Sequence, residues 1–236
     1  MIQTHTIVLW RMPELEEKSF DSLARNSFEL MSVFQDFDCE WRPNYLTGYK
    51  KNKTKFQWNY NNFSEELKKG VNREGKKAFS HLGYQISFYS SLIEDKSFGH
   101  SLTIGSTRFF NVLTVKIAND FNLYDNVNAK KMERLFEKLV ERFNPFWGCV
   151  ANSKIASKYG YFDQDNNIPQ TVYWLNYFNE NIIENIGKER IDNVLSEYSS
   201  MSFKNGLLRL CSIPIDYESE EDVQFHEEIH SSLILS

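Results

Sequence analysis

Apolar and polar residues alternate through three successive stretches in the middle of the chain. Tyr84, Ile86 and Phe88 alternate with Gln85, Ser87 and Tyr89. Leu102 and Ile104 alternate with Ser101 and Thr103, and Leu113, Val115 and Ile117 with Thr114 and Lys116. A period of two puts alternate side chains on opposite faces, so each stretch reads as a strand with one buried face. The links are short, one of them a turn around Glu94-Asp-Lys96, which favours an antiparallel meander over parallel crossovers.

The period changes at residues 128–143. Met132, Leu135, Phe136, Leu139, Val140 and Phe143 form one apolar stripe at helical spacing. Lys130–Glu133, Arg134–Glu137 and Lys138–Glu141 place opposite charges three apart on the outer face. Asn144-Pro145 ends this helix. A second helix is expected up to about residue 35, because Phe20, Leu23, Ala24, Ser27, Leu30, Met31 and Phe34 recur every three to four positions. Pro13, followed by Glu14, Glu16 and Glu17, reads as its first turn. Thr6–Met12 reads as a strand before it. Asn62-Phe-Ser-Glu65 predicts the start of a short helix ending at Gly70.

Downstream, Trp147–Ser153 and Thr171–Phe178 read as strands separated by a loop containing Gly160, the second entered through Pro169. The polar run from Asp163 to Asn167 predicts a turn before it. Ile182–Tyr198 is helical but interrupted by Gly187. Leu207–Ile213 is a final strand, and Ser219–Leu233 a terminal helix that Ser219-x-x-Asp222 can cap. Strand runs with interspersed helices and antiparallel links predict an α+β fold, with mostly antiparallel sheets and packed amphipathic helices. No linker-like stretch or internal repeat interrupts the 236 residues, so residues 1–236 read as one domain, with 50–77 a basic, loop-rich insertion.

Composition narrows the class. Hydrophobic residues at 41% and charged residues at 25% exclude general disorder. Aromatics reach 15%, with 19 Phe and 12 Tyr, which points to an aromatic-rich core. No apolar run approaches the ~20 residues of a membrane helix. The start of the chain has neither a basic cluster nor a long apolar stretch, so no signal peptide is expected. Cys39, Cys149 and Cys211 are odd in number and far apart, which predicts reduced, buried thiols and a cytoplasmic setting.

Charge is unevenly distributed. Residues 50–77 hold nine Lys/Arg (Lys50, Lys51, Lys53, Lys55, Lys68, Lys69, Arg73, Lys76 and Lys77) against three Glu. Phe56, Trp58 and Tyr60 interleave with these charges in a pattern that could touch nucleic acid, but a solvated basic loop is the simpler reading. Gly70–Lys77 lacks the Lys-Ser/Thr ending of a phosphate loop and reads as a basic turn. After Arg209 there is no Lys or Arg, and seven acids follow: Asp216, Glu218, Glu220, Glu221, Asp222, Glu227 and Glu228. Such a segment repels phosphate and suits a basic protein partner.

One catalytic signature is present. His226-Glu-Glu-Ile-His230 is H-E-x-x-H, which on a helix sets two imidazoles one turn apart over zinc with the glutamate as general base. Downstream of it, Ser231–Ser236 offers no third ligand. The motif is therefore expected to be an exposed polar helix face, with His226 against the core, no metal and no cofactor. Cys149 reads as a buried strand thiol rather than a nucleophile. No catalytic set emerges.

The Trp147-Gly148 strand after the amphipathic helix, the strand from Pro169 to Tyr177 containing Trp174-Leu175, and the acidic run from Asp216 to His226 together form a pattern spanning nearly the whole chain. In this order they resemble the immunity protein 52 family of bacterial polymorphic toxin systems. The basic stretch at 50–77 stands outside that pattern. The resemblance implies a protein that is not an enzyme and that binds and neutralises a cognate toxin, often a nuclease. The implied contact residues are Asp216, Glu218, Glu220, Glu221 and Asp222, facing a basic cleft. Two other classes remain open: a metal-dependent hydrolase using His226 and His230, and a phage or mobile-element interaction protein.

Overall fold

The computed structural model describes residues 3–48, 52–163 and 168–234. Lys50 and Lys51 of the basic segment, and Gln164 to Asn167 of the expected polar turn, lie outside the described residues. The fold is α+β, built largely on antiparallel strand pairs. The chain forms two compact units. The meander unit comprises Leu9–Phe121 and Glu141–Asn144, and the C-terminal unit Met1–Val8, Asn122–Val140 and Pro145–Ser236. Among the described residues, no helix is long and apolar enough to cross a membrane.

Strand β1 (His5–Arg11) opens the described chain, and its Leu9–Arg11 end begins the meander unit. Helix α1 (Phe20–Phe37) follows, seven residues later than the proline suggested. Its cap is Ser19, whose Oγ accepts from the Ser22 amide at 3.4 Å. Glu14 is spent elsewhere, on ion pairs with Arg11 and Lys18, so residues 13–18 form an ordered loop rather than a helical turn. Strands β2 (Tyr45–Thr47) and β3 (Lys53–Lys55) pair with each other, and β2 pairs with β6.

Helix α2 (Tyr60–Lys69) starts two residues before the expected site, capped by Asn59, and ends at Gly70 as read. Its Phe63 and Leu67 are fully buried. The Trp58 ring stacks on Phe28 of α1 at 5.4 Å and packs against Phe63 and Phe88. The aromatics interleaved with the basic residues therefore serve an internal cluster, not a stacking platform for bases. Short strands β4 (Arg73–Glu74) and β5 (Lys77–Ala78) close the basic turn around Gly75.

The meander appears as expected: β6 (Leu82–Tyr89), β7 (Gly99–Ser106) and β8 (Asn111–Lys116), in the order β1-β8-β7-β6-β2-β3. Ile86, Phe88, Leu102, Ile104, Leu113, Val115 and Ile117 bury their side chains, which is the apolar set the alternation selected, apart from half-buried Tyr84.

The C-terminal unit begins its main run with helix α3 (Asn126–Phe143), whose Met132, Leu135, Phe136 and Leu139 are buried. Strand β9 (Trp147–Asn152) is buried at every position. The expected Gly160 loop contains helix α4 (Ser153–Tyr159), capped by Asn152. The Pro169–Phe178 strand is not continuous. Ile168–Pro169 (β11) pairs with Phe162–Asp163 (β10), and the strand β12 is only Leu175–Phe178. The buried Asn176 of β12 turns its side chain back to accept from the Tyr173 amide at 2.9 Å and donate to the Tyr173 carbonyl, so at Tyr173 a side chain replaces a ladder partner.

Helices α5 (Glu180–Ile186) and α6 (Lys188–Glu197) are split at Gly187, whose φ of 95° an L side chain rarely adopts. Strands β13 (Ser202–Lys204) and β14 (Leu207–Arg209) form a hairpin through Asn205-Gly206, both at positive φ (52° and 80°). This is the primed turn that Asn-Gly encodes, and the first strand of the hairpin went unread in the sequence. Helix α7 (Glu220–Leu233) completes the unit, capped by Ser219 as read. The strand order here is β13-β14-β12-β9-β1.

Candidate functional site

The acidic segment and the histidine motif meet on α7 of the C-terminal unit. Four residues of this helix are buried, His226, Ile229, His230 and Leu233, spaced i, i+3, i+4 and i+7. The two histidines thus occupy the core stripe, His226 as expected and His230 against the expectation of an exposed face. His226 is 0% and His230 3% exposed, so the motif is not an exposed polar face.

The rings lie nearly parallel, 6.1 Å apart at 12°, with Tyr159 of α4 at 4.4 Å from His230 and 5.8 Å from His226. Tyr217 meets His226 edge-on at 5.5 Å. His226 Nε2 donates to the Val172 carbonyl at 2.9 Å and lies 3.3 Å from the Thr171 hydroxyl. With that nitrogen protonated and the ring buried, the imidazole is neutral. Burial holds its pKa down at about 4, and His230 is lowered by the same cause. Both Nδ1 atoms lack a hydrogen-bond partner. Glu227 points outward to an ion pair with Lys158 at 2.7 Å, away from any role as a base beside the imidazoles.

Among the described residues, no group of three His, Cys, Asp or Glu side chains is placed to hold a metal. Zinc on the Nδ1 of His226 would leave the Val172 hydrogen bond intact, so what speaks against a metal is the lack of a third ligand among the described residues. We expect elemental analysis of purified protein to find well under one zinc per chain. A stoichiometric zinc lost in His230→Ala would reverse this assignment.

The five acids implied as contacts divide into two kinds. Asp216 and Asp222 are half-buried and internal to the fold. The Asp216 carboxylate accepts from Gln3 Nε2 at 2.8 Å and the Glu218 amide at 3.0 Å, which holds it below the usual carboxylate range. Its own amide donates to Asp222 Oδ2 at 2.7 Å. Gln3 in turn accepts from the Tyr124 hydroxyl (3.0 Å) and Asn152 Nδ2 (2.8 Å), and Asn152 reaches the buried His5. Burial raises the Tyr124 phenol to about 12 and lowers His5 to about 4.

Glu218, Glu220 and Glu221 are exposed. Glu218 pairs with Lys154, which lowers its pKa. Glu220 and Glu221, in the first turn of α7, make no hydrogen bond or ion pair among the described residues. Acids there complement the positive end of the helix dipole, so they have a local role as well as any external one.

The thiols differ from the expected burial at two positions. Cys149 is buried and burial raises its pKa; Cys211 is half-buried and pushed up to about 12; Cys39 is exposed. With their pKa values raised, Cys149 and Cys211 are poor nucleophiles, because only the thiolate attacks.

No family model matches this chain, and no curated protein matches it. Among solved structures the comparison is positive. The chain shares the fold of a T6SS protein. That protein is Pseudomonas aeruginosa T6SS protein PA0821, with a TM-score of 0.59 and 10% identity over 98% of this chain and 73% of the other. At 10% identity the likeness carries the fold alone. Sequence reasoning missed Tyr159, Gln3 and Asn152 as parts of the site. Only Asn152-Ser153, a capping pair, offered a signal for the α4 helix that positions Tyr159.

Proposed function

We propose that this chain is an immunity protein of the type seen in bacterial toxin systems, which binds a cognate toxin in the cytoplasm and blocks it without catalysing a reaction. The observation that carries this reading is a fold shared over 98% of the chain with a T6SS protein. It is supported by the sequence pattern around Trp147, Trp174 and the acidic segment, and by histidines engaged in packing. A basic, phosphate-attracting nuclease is the partner that the exposed acids favour.

Within this reading only Glu218, Glu220 and Glu221 of the five acids are available to a partner. Asp216 and Asp222 hold the segment in place. This reading predicts a toxin gene beside this chain's own, and the probe is the purified, catalytically inactivated domain it encodes. Glu218→Gln, Glu220→Gln and Glu221→Gln together should slow association roughly three- to tenfold at low salt and flatten its salt dependence, because steering acts on the on-rate. Dissociation should change little, and so should thermal stability, since exposed charges contribute little. An on-rate unchanged at low salt would remove this segment from the steering surface.

A further inference from the structure

Three apolar side chains of the meander unit stand out in solvent on two abutting loops: Leu15 at 101% exposure, Met12 at 53% and Phe109 at 56%. Single exposed leucines are common. The support behind this one is not. The Glu14 amide donates to the Ser106 carbonyl at 2.8 Å, and Asn111 Nδ2 donates to the Met12 carbonyl at 3.0 Å. Ser106 Oγ accepts from the amides of Phe109 (2.8 Å) and Arg108 (3.1 Å), and Asn111 Oδ1 accepts from the Ser106 amide (3.0 Å). Ser106 and Asn111 are both fully buried, and their polar groups serve to tie these two loops together.

On either side of Leu15, the Glu14 carboxylate bridges Arg11 and Lys18, closing the loop with two ion pairs. Nothing in the fold needs Leu15 itself, which buries no surface. A rigid loop that displays an unburied leucine has already lost the freedom that binding would otherwise cost. Glu14 is neutralised by its partners, whereas Glu16 and Glu17 are exposed and unpaired among the described residues. The Arg108 guanidinium, the nearest exposed cation on the second loop, lies over the Phe109 ring at 5.6 Å.

We propose that the Pro13–Glu17 loop is the anchor by which this chain seats in its toxin, with Leu15 entering an apolar pocket on a basic surface whose cations meet Glu16 and Glu17. This rests on the immunity reading above and gives it a contact the acidic segment does not supply. A basic partner follows from the charge of the loop tip. A second copy of this chain is disfavoured, because a two-fold contact would press Glu16 and Glu17 against their own equivalents.

The test uses the full chain against the same inactivated toxin domain. Leu15→Glu should raise the dissociation rate about 30-fold or more and Leu15→Ala somewhat less, the behaviour of a buried interface anchor. Both should melt like the parent, since the side chain touches nothing. Leu92→Glu, another exposed apolar site of the same unit at 60%, should bind as the parent does. If the parent binds and both Leu15 variants bind within twofold of it, the anchor is elsewhere while the immunity reading stands. If the parent does not bind, the immunity reading fails and takes this assignment with it. A parent that is dimeric by light scattering, and monomeric as Leu15→Glu, would make the loop a self-interface and overturn the proposal.

Discussion

Acidification from pH 7 to pH 4 should unfold this protein. His5 and His226 are buried with pKa values held at about 4, and His100 at about 3, each by burial, against an ordinary value of 6.5. In the unfolded chain these imidazoles take up protons from pH 6.5 downward, while in the folded chain they cannot. Stability is therefore at its full value above pH 6.5 and falls as pH drops through the window from 6.5 to about 4. A pKa lowered from 6.5 to about 4 corresponds to about 3 kcal/mol, and several such groups rival the 5–15 kcal/mol that typically holds a domain together.

Asp216 acts in the same direction at lower pH, since its lowered pKa gives stability that disappears only as the carboxylate protonates. Urea denaturation at pH 7, 6, 5 and 4 measures the slope. His226→Gln keeps a donor for the Val172 carbonyl and should flatten the slope by about one proton. Stability constant between pH 7 and 5 would mean that these rings are hydrated or charged in the folded protein.

Trp174→Ala should cost about 3–5 kcal/mol and impair folding. The side chain is 3% exposed, its Nε1 donates to the Cys211 carbonyl at 2.9 Å, and its own carbonyl accepts from the Leu210 amide at 3.0 Å. The substitution opens a large cavity and leaves the Cys211 carbonyl without that donor. Trp147, 0% exposed on β9, should behave similarly. A variant that melts like the parent but loses the toxin would place Trp174 in the interface instead.

What the sequence disclosed depended on which interaction decided each element. Where burial decided, the reading held: the three meander strands and the stripe of α3 are periodic because one face is packed. Where a single side-chain hydrogen bond decided, it slipped. Ser19 rather than Pro13 starts α1, because Glu14 is recruited to Arg11 and Lys18. Asn176 folds back on Tyr173 and shortens the aromatic strand to Leu175–Phe178.

The site followed the same division. His226 and His230 were legible as an i, i+4 pair and His226 as facing the core, but the burial of His230 was not, because it depends on Tyr159 arriving from a distant part of the chain. The acids were legible as charge. That Asp216 and Asp222 are consumed internally depends on Gln3 and on the turn before α7, and no local pattern encodes either. The Leu15 loop was hidden because its stiffness comes from Ser106 and Asn111, some ninety positions away.

The central claim, neutralisation of a cognate toxin, is tested most directly by co-expression. The account predicts a toxin gene beside this chain's own; its active domain is induced in a bacterial host with and without the chain, and growth is followed. The account predicts growth arrest by the toxin alone, and restored growth when the chain is present. The two proteins should then co-elute as a stable complex. Arrest that persists with the chain abundantly and solubly expressed would contradict it.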